Sequence, residues 1–217
     1  MTKVGVSILS ADYMNFTTEL KSINQSGAEY LHLDIMDGHF VPNMTFGPEM
    51  VRQMSRECSL PLDVHLMIEK PERFIKEFAE AGAEIITVHY EACLNNLDEV
   101  LSSIKEHGCK PGIAINPDTS AEKIKKYISE IDLILQMTVF PGFGGQKFIE
   151  STLDNIKQLS KWREEENLSY MIEVDGGINF STAADCVNSG VDLLVAGSFF
   201  IDSDNKNELV KELQEQI

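Results

Sequence analysis

The chain has 217 residues, 43% of them hydrophobic and 24% charged, which suits one soluble globular domain with a core of useful size. Its 35 acidic side chains outnumber 18 basic ones, for a net charge of −17. That balance argues against nucleic acid and against anionic membrane surfaces, both of which need a basic footprint.

Short apolar, β-rich runs then recur along the chain: VGVSIL, YLHLDIM, LDVHLM, EIITVHY, PGIAI, LILQMTV, YMIEVD and LLVAG. Their starts lie roughly 20 to 35 residues apart, about the length of one strand–helix unit. Between them run amphipathic segments of helical period, including PERFIKEFAEAG, LDEVLSSIKEHG, AEKIKKYISEI and FIESTLDNIKQLSKWREEE. Pro71 opens the first of these where proline is best tolerated, with Glu72 in its first turn. Thr119 and Glu122 have the spacing of a capping box. Gly27, Gly82 and Gly190 follow helical patterns as C-terminal caps, and each leads into a similar phrase: GAEYLHLD, GAEIITVH, GVDLLVAG. Eight alternating units predict a single (β/α)8 barrel over residues 1–217. A doubly wound open sheet is the runner-up, but its GxGxxG fingerprint is missing after the first strand, where GVSILSAD stands instead.

In such a barrel chemistry sits where strands end. The first strand ends at Ser7, the second carries His32 and Asp34, the third His65, the fourth His89, and the seventh Asp175. Residues two apart share a face of a strand, so His32, Asp34 and Met36 project together, as do Asp63, His65 and Met67. Two histidines and two aspartates from strands two, three and seven are thus placed to converge, and imidazole with carboxylate suits zinc or another borderline divalent metal. Each alone reads more readily as a satisfied core residue or a strand-end cap. Together, unpaired buried charges at strand ends are expensive, and a metal would neutralise that cost. Asp37 and His39 are expected to fix the DGHFVPN turn rather than bind metal. His89 is left without an assigned role, and a packing role is favoured for Asp63 over one in orienting a ligand.

Three glycine turns, PGFGG, DGGIN and AGS, end strands six, seven and eight. One such turn reads as a tight βα connection, but three adjacent ones favour a phosphate held by backbone amides and helix N-termini without lysine, which would answer the acidity of the chain. Lys147, beside PGFGG, is read as a surface helix residue without a role. The four cysteines show no CxxC spacing and are expected to be reduced, mostly buried thiols. No apolar stretch approaches membrane-spanning length, and MTKVGVSILS lacks the apolar run of a signal peptide, so a cytoplasmic location is expected.

SILSAD, LHLDIMDGHFVPNMTFGP, DVHLMIEKPERFI, TVHYEA, MTVFPGFGGQKFI, IEVDGGIN and LLVAGS together resemble the ribulose-phosphate 3-epimerase family, in order and over nearly the whole chain. The resemblance implies a (β/α)8 barrel that interconverts ribulose 5-phosphate and xylulose 5-phosphate, binds a sugar phosphate, and assembles as a homo-oligomer. It implies one divalent cation (zinc, iron, manganese or cobalt) held at His32, Asp34, His65 and Asp175, with Asp34 and Asp175 also the acid/base pair. Ser7 and His65 match substrate-contacting positions. Gly142, Phe143, Gly144, Gly145, Gly176, Gly177, Gly197 and Ser198 match the phosphate cradle, and Met36, Met67 and Met137 match a methionine lining around the reacting carbons.

Three positions depart from the family pattern. Phe140 replaces a small polar residue, Gly5 or Val6 replaces a proline, and Gln136 interrupts a mostly apolar strand. Phe140 keeps open a sister epimerase of a six-carbon ketose phosphate such as allulose 6-phosphate. A non-catalytic sugar-phosphate-binding barrel is the other alternative. A phosphate-binding barrel lyase or decarboxylase would call for a lysine at a strand end, and the second and third strands offer none.

Overall fold

Each apolar run becomes a strand because its neighbours in space bury it on both faces, as parallel sheets require. In the computed structural model, which describes residues 1–216, the strands are β1 (Lys3–Ser7), β2 (Tyr30–Met36), β3 (Leu62–Met67), β4 (Ala83–His89), β5 (Lys110–Ile115), β6 (Leu133–Met137), β7 (Met171–Asp175) and β8 (Leu193–Ala196). Every neighbour pair is parallel, and Lys3–Val6 of β1 pair with Leu193–Ala196 of β8. The sheet therefore closes into an eight-stranded barrel in sequence order, which rules out the open doubly wound sheet.

The helices are α1 (Phe16–Gln25), α2 (Pro48–Glu57), α3 (Ile75–Glu80), α4 (Leu97–Glu106), α5 (Thr152–Glu165), α6 (Phe180–Asn188), α7 (Ser198–Ile201) and α8 (Lys206–Gln214). They pack on outward strand residues such as Leu31, Leu33, Val64 and Leu66 to form the main apolar layer. Inside the barrel, Tyr30, Ile85, Ala114, Leu133, Leu135 and Leu193 form a second, smaller cluster. Gly27, Gly82 and Gly190 adopt positive φ (87°, 107° and 107°) after α1, α3 and α6, as expected of helix-ending glycines. The four cysteines are unpaired and buried.

Three local expectations differ. The segment AEKIKKY, Ala121–Tyr127, is a 3-10 helix rather than an α-helix. Its cap is Ser120, whose hydroxyl accepts from Glu122 N–H (3.3 Å), while Thr119 turns away and donates to Glu91. Pro71 opens a short 3-10 turn, Pro71–Arg73, and α3 starts only at Ile75. Lys147 is exposed as expected, but in the loop before α5 rather than on a helix.

Candidate active site

The period of two along β2 and β3 turns alternate residues inward, and the parallel register stacks them in layers: His32 beside Asp63, Asp34 beside His65, Met36 beside Met67. On the far side Asp175 ends β7 between Met137 and Val195. His65 Nδ1 lies 3.1 Å from Asp34 Oδ1, and His32 Nε2 lies 3.4 Å from the same oxygen. One donor atom from each of His32, Asp34, His65 and Asp175 falls within 4.8 Å of the others. Ser7 Oγ donates to the second oxygen of Asp34, Oδ2, at 2.7 Å. His32 Nε2 is buried and has no hydrogen-bond partner of its own. Two imidazoles and two carboxylates, with an orphaned ring nitrogen facing their common point, fit a borderline divalent cation.

The protonation pattern follows from the same geometry. Burial would raise the pKa of Asp34, but the charge of His32 and the close approach of the His32 and His65 rings overcome it and hold this carboxyl well below its usual range. Asp175 retains some exposure at the barrel mouth, yet desolvation and the nearby Asp34 charge push it up to about 7. The two carboxylates are thus pulled in opposite directions. Burial pushes His65 down to about 4, so it stays neutral, as a ligand must. At His32 burial opposes a positive charge, and the carboxylates of Asp34 and Asp63 outweigh it. The position therefore attracts a proton or, in its stead, a cation.

Each of the two histidines is held from behind. Asp63 Oδ2 accepts from His32 Nδ1 at 2.6 Å, and Glu173 Oε1 lies 3.2 Å from the same nitrogen. Asp63, read from sequence as packing, is therefore in direct contact with a candidate ligand, and Glu173 joins it unheralded. Burial, then the charge of Asp63, raises Glu173 well above its ordinary value. His65 Nε2 meets His89 Nε2 at 2.8 Å, and His89 Nδ1 meets Glu91 Oε2 at 3.2 Å. Glu91 stands in the phrase TVHYEA, where the sequence alone assigns it no role. The available signal is its position two residues after a strand-end histidine. Asp37 does fix its turn, accepting from His39 N–H (2.8 Å) and Phe40 N–H (3.0 Å), and from Glu69 N–H (2.8 Å) on the next loop.

Above this floor lies a pocket that opens at the mouth of the barrel. Ser7, Asp34, Met36, Met67, Met137, Gly142, Phe143, Gly144, Gly145, Asp175, Gly176, Gly177, Gly197 and Ser198 all line it. His32 and His65 lie beneath, fully buried. No lysine or arginine is among the lining residues, so an anion bound there would rely on backbone amides and polar side chains. Gly177 needs to be glycine: its φ is +66°, and a Cβ would stand 2.6 Å from Phe148 N. The PGFGG loop is tied across the mouth by Asn43 Nδ2, which donates to Gly142 O at 2.7 Å. Phe140 is half exposed and does not line the pocket, and Gln146 anchors its carbonyl (2.7 Å). Gln136 is buried on the outer face of β6, where Asn155 of α5 donates to its Oε1 at 2.9 Å.

Comparison with known proteins agrees with this architecture. The chain is 46% identical over 215 residues to ribulose-phosphate 3-epimerase of Bacillus subtilis, covering 99% of each. It is 44% identical to that of Chlamydia trachomatis (98% of this chain, 94% of the other) and 37% identical to that of Escherichia coli (99% and 95%). Among solved structures it resembles KGPDC from Streptococcus mutans, with a TM-score of 0.73 at 12% identity (100% of this chain, 97% of the other). It also resembles a mutant tryptophan synthase alpha-subunit from Pyrococcus furiosus, with a TM-score of 0.70 at 15% identity (100% and 98%). At those identities the likeness speaks for the barrel alone. Residues 3–201 match the model described as the Ribulose-phosphate 3 epimerase family, and with the full-length relatives this makes the chain a member of the ribulose-phosphate 3-epimerase family.

Proposed function

We propose that this enzyme interconverts D-ribulose 5-phosphate and D-xylulose 5-phosphate by moving a proton at C3 through an enediolate. The observation that carries the reading is the pair Asp34 and Asp175, two carboxylates from β2 and β7 that line one pocket beside three glycine turns. Inverting a carbon next to a ketone requires a base on one face and an acid on the other. Asp34, ionised and steadied by the Ser7 hydroxyl, takes the C3 proton. Asp175, from β7, returns one to the opposite face, and in the reverse direction the roles exchange. A divalent cation held by His32, Asp34, His65 and Asp175 would supply Lewis-acid stabilisation of the negative charge on the sugar oxygens. Met36, Met67 and Met137 exclude water around the reacting carbons and offer no competing hydrogen bond. Backbone amides of Gly142–Gly145, Gly176, Gly177, Gly197 and Ser198 receive the phosphate.

The five-carbon substrate rests on the full-length relatives and on the position of Phe140, whose ring forms no wall of the pocket. A cytoplasmic, homo-oligomeric enzyme of the pentose phosphate pathway, as expected from the sequence, is part of the proposal. The test is turnover of ribulose 5-phosphate with and without chelator, beside a six-carbon ketose phosphate. Faster turnover of the pentose, lost with chelator, regained with metal, and accompanied by solvent deuterium at C3, is expected. Full activity in metal-free protein would sink the Lewis-acid role, and absent C3 exchange the proton-transfer scheme.

A further inference from the structure

Behind His65 runs a chain of contacts that the chemistry above does not use. His65 Nε2 lies 2.8 Å from His89 Nε2, and His89 Nδ1 lies 3.2 Å from Glu91 Oε2. Glu91 Oε1 in turn accepts from Asn116 N–H at 2.9 Å and from the Thr119 hydroxyl. His65 and His89 are fully buried, and the Phe40 ring packs 4.7 Å from the His89 ring. We propose that Glu91, acting through His89, is a positioning residue that fixes the tautomer of His65 and presents its Nδ1 lone pair to the divalent cation. The inference rests on the metal reading of His32, Asp34, His65 and Asp175.

The directions follow from proton counting. Two ring nitrogens 2.8 Å apart share one proton between them. A carboxylate only accepts, and Glu91 already accepts from the fixed main-chain donor of Asn116. Its free oxygen therefore takes the Nδ1 proton of His89. In a neutral imidazole that leaves His89 Nε2 as a lone pair, which accepts from His65 Nε2–H. His65 Nδ1 is then bare on the side of Asp34 Oδ1, 3.1 Å away. Without the relay, His65 is free to carry its proton on Nδ1 and donate it to Asp34, competing with the cation for both ligands. A carboxylate behind a metal-bound histidine is a general device; here a second imidazole extends its reach.

Glu91→Gln keeps the side-chain size but places an N–H donor against either His89 Nδ1–H or Asn116 N–H. Starting from Co²⁺-loaded protein, competition with a chelator should show binding weakened about 10- to 100-fold, with far-UV circular dichroism unchanged. Affinity within twofold of the parent in the folded variant would overturn the relay alone. A parent that holds no Co²⁺ would overturn the relay and the metal reading together. A second measurement needs no variant: in Zn²⁺-loaded parent labelled with ¹⁵N-histidine, His89 is expected to carry its proton on Nδ1 only. A proton on Nε2, or on both nitrogens, overturns the proposal.

Discussion

At Asp175, exchanging one carboxyl oxygen for an amide changes neither the volume nor the backbone of the strand end, but it removes the proton donor opposite Asp34. Asp175→Asn should therefore fold normally and lose about 10²–10⁴-fold in epimerisation. Asp34 remains able to take a proton from the epimer that presents C3–H to it and to return one to the same face. In deuterated water, Asp175→Asn should label one epimer at C3 and leave the other untouched, and Asp34→Asn should show the opposite preference if it still holds metal. Labelling of both epimers by either variant would refute a one-carboxylate-per-face scheme. Asp34 is legible in the sequence because β2 and β3 repeat His-x-Asp-x-Met and Asp-x-His-x-Met at a spacing of two, and a strand leaves no choice of face. Asp175 is legible because it ends a strand just ahead of a glycine turn. Glu91 and Glu173 are not legible in this way. Glu173 lies on the same face as Asp175 in a strand that otherwise reads apolar, and its partners Asp63 and His32 come from two other strands. Glu91 finds its partners at Asn116 and Thr119, residues 25 and 28 positions further on. Period-two reasoning names a face, but it does not name the partner across the barrel.

The strands are readable as elements and the connection between β5 and β6 is not. Ala121–Tyr127 has helical period and a plausible capping box, but its first residues are committed elsewhere: Thr119 to Glu91, and Ala121 N–H to Asn155 Oδ1 at 3.1 Å. The segment follows those anchors and tightens into a 3-10 helix, the form short connectors commonly take. The same Asn155 explains Gln136, the polar residue that interrupts β6. Its side chain donates to Thr119 O at 2.8 Å and Gln136 Oε1 at 2.9 Å, so one residue of α5 binds both β6 and the β5–β6 connection. Asn155→Ala would leave Gln136 Oε1, Thr119 O and Ala121 N–H short of partners at a partly buried junction. The expected cost is about 2 kcal/mol, reckoned from the desolvation of unpaired polar groups. Urea unfolding would report it as a lower midpoint with an unchanged slope. An unmoved midpoint would mean that water replaces the network without loss, and that Gln136 is tolerated rather than held.

On the scale of the whole molecule, a net charge of −17 surrounds a pocket meant for a dianionic sugar phosphate. No lysine or arginine lines that pocket to offset the repulsion. The glycine turns act at hydrogen-bond range, where amides are strong, whereas the repulsive field acts over the distance of approach. The two are separable by salt. The screening length falls from about 30 Å at 0.01 M ionic strength to about 8 Å at 0.15 M, so added salt weakens the long-range repulsion and leaves buried, short-range contacts largely intact. For a basic pocket, salt would lower kcat/KM by screening attraction. Here it should raise kcat/KM between those two ionic strengths, mainly through a lower KM, with kcat nearly constant. The measurement requires a non-coordinating, non-phosphate electrolyte, so that neither the cation site nor the phosphate cradle is contested. A falling kcat/KM over that range would mean that local positive potential, from the bound cation and the oriented amides together, reaches far enough into solvent to override the charge of the rest of the chain.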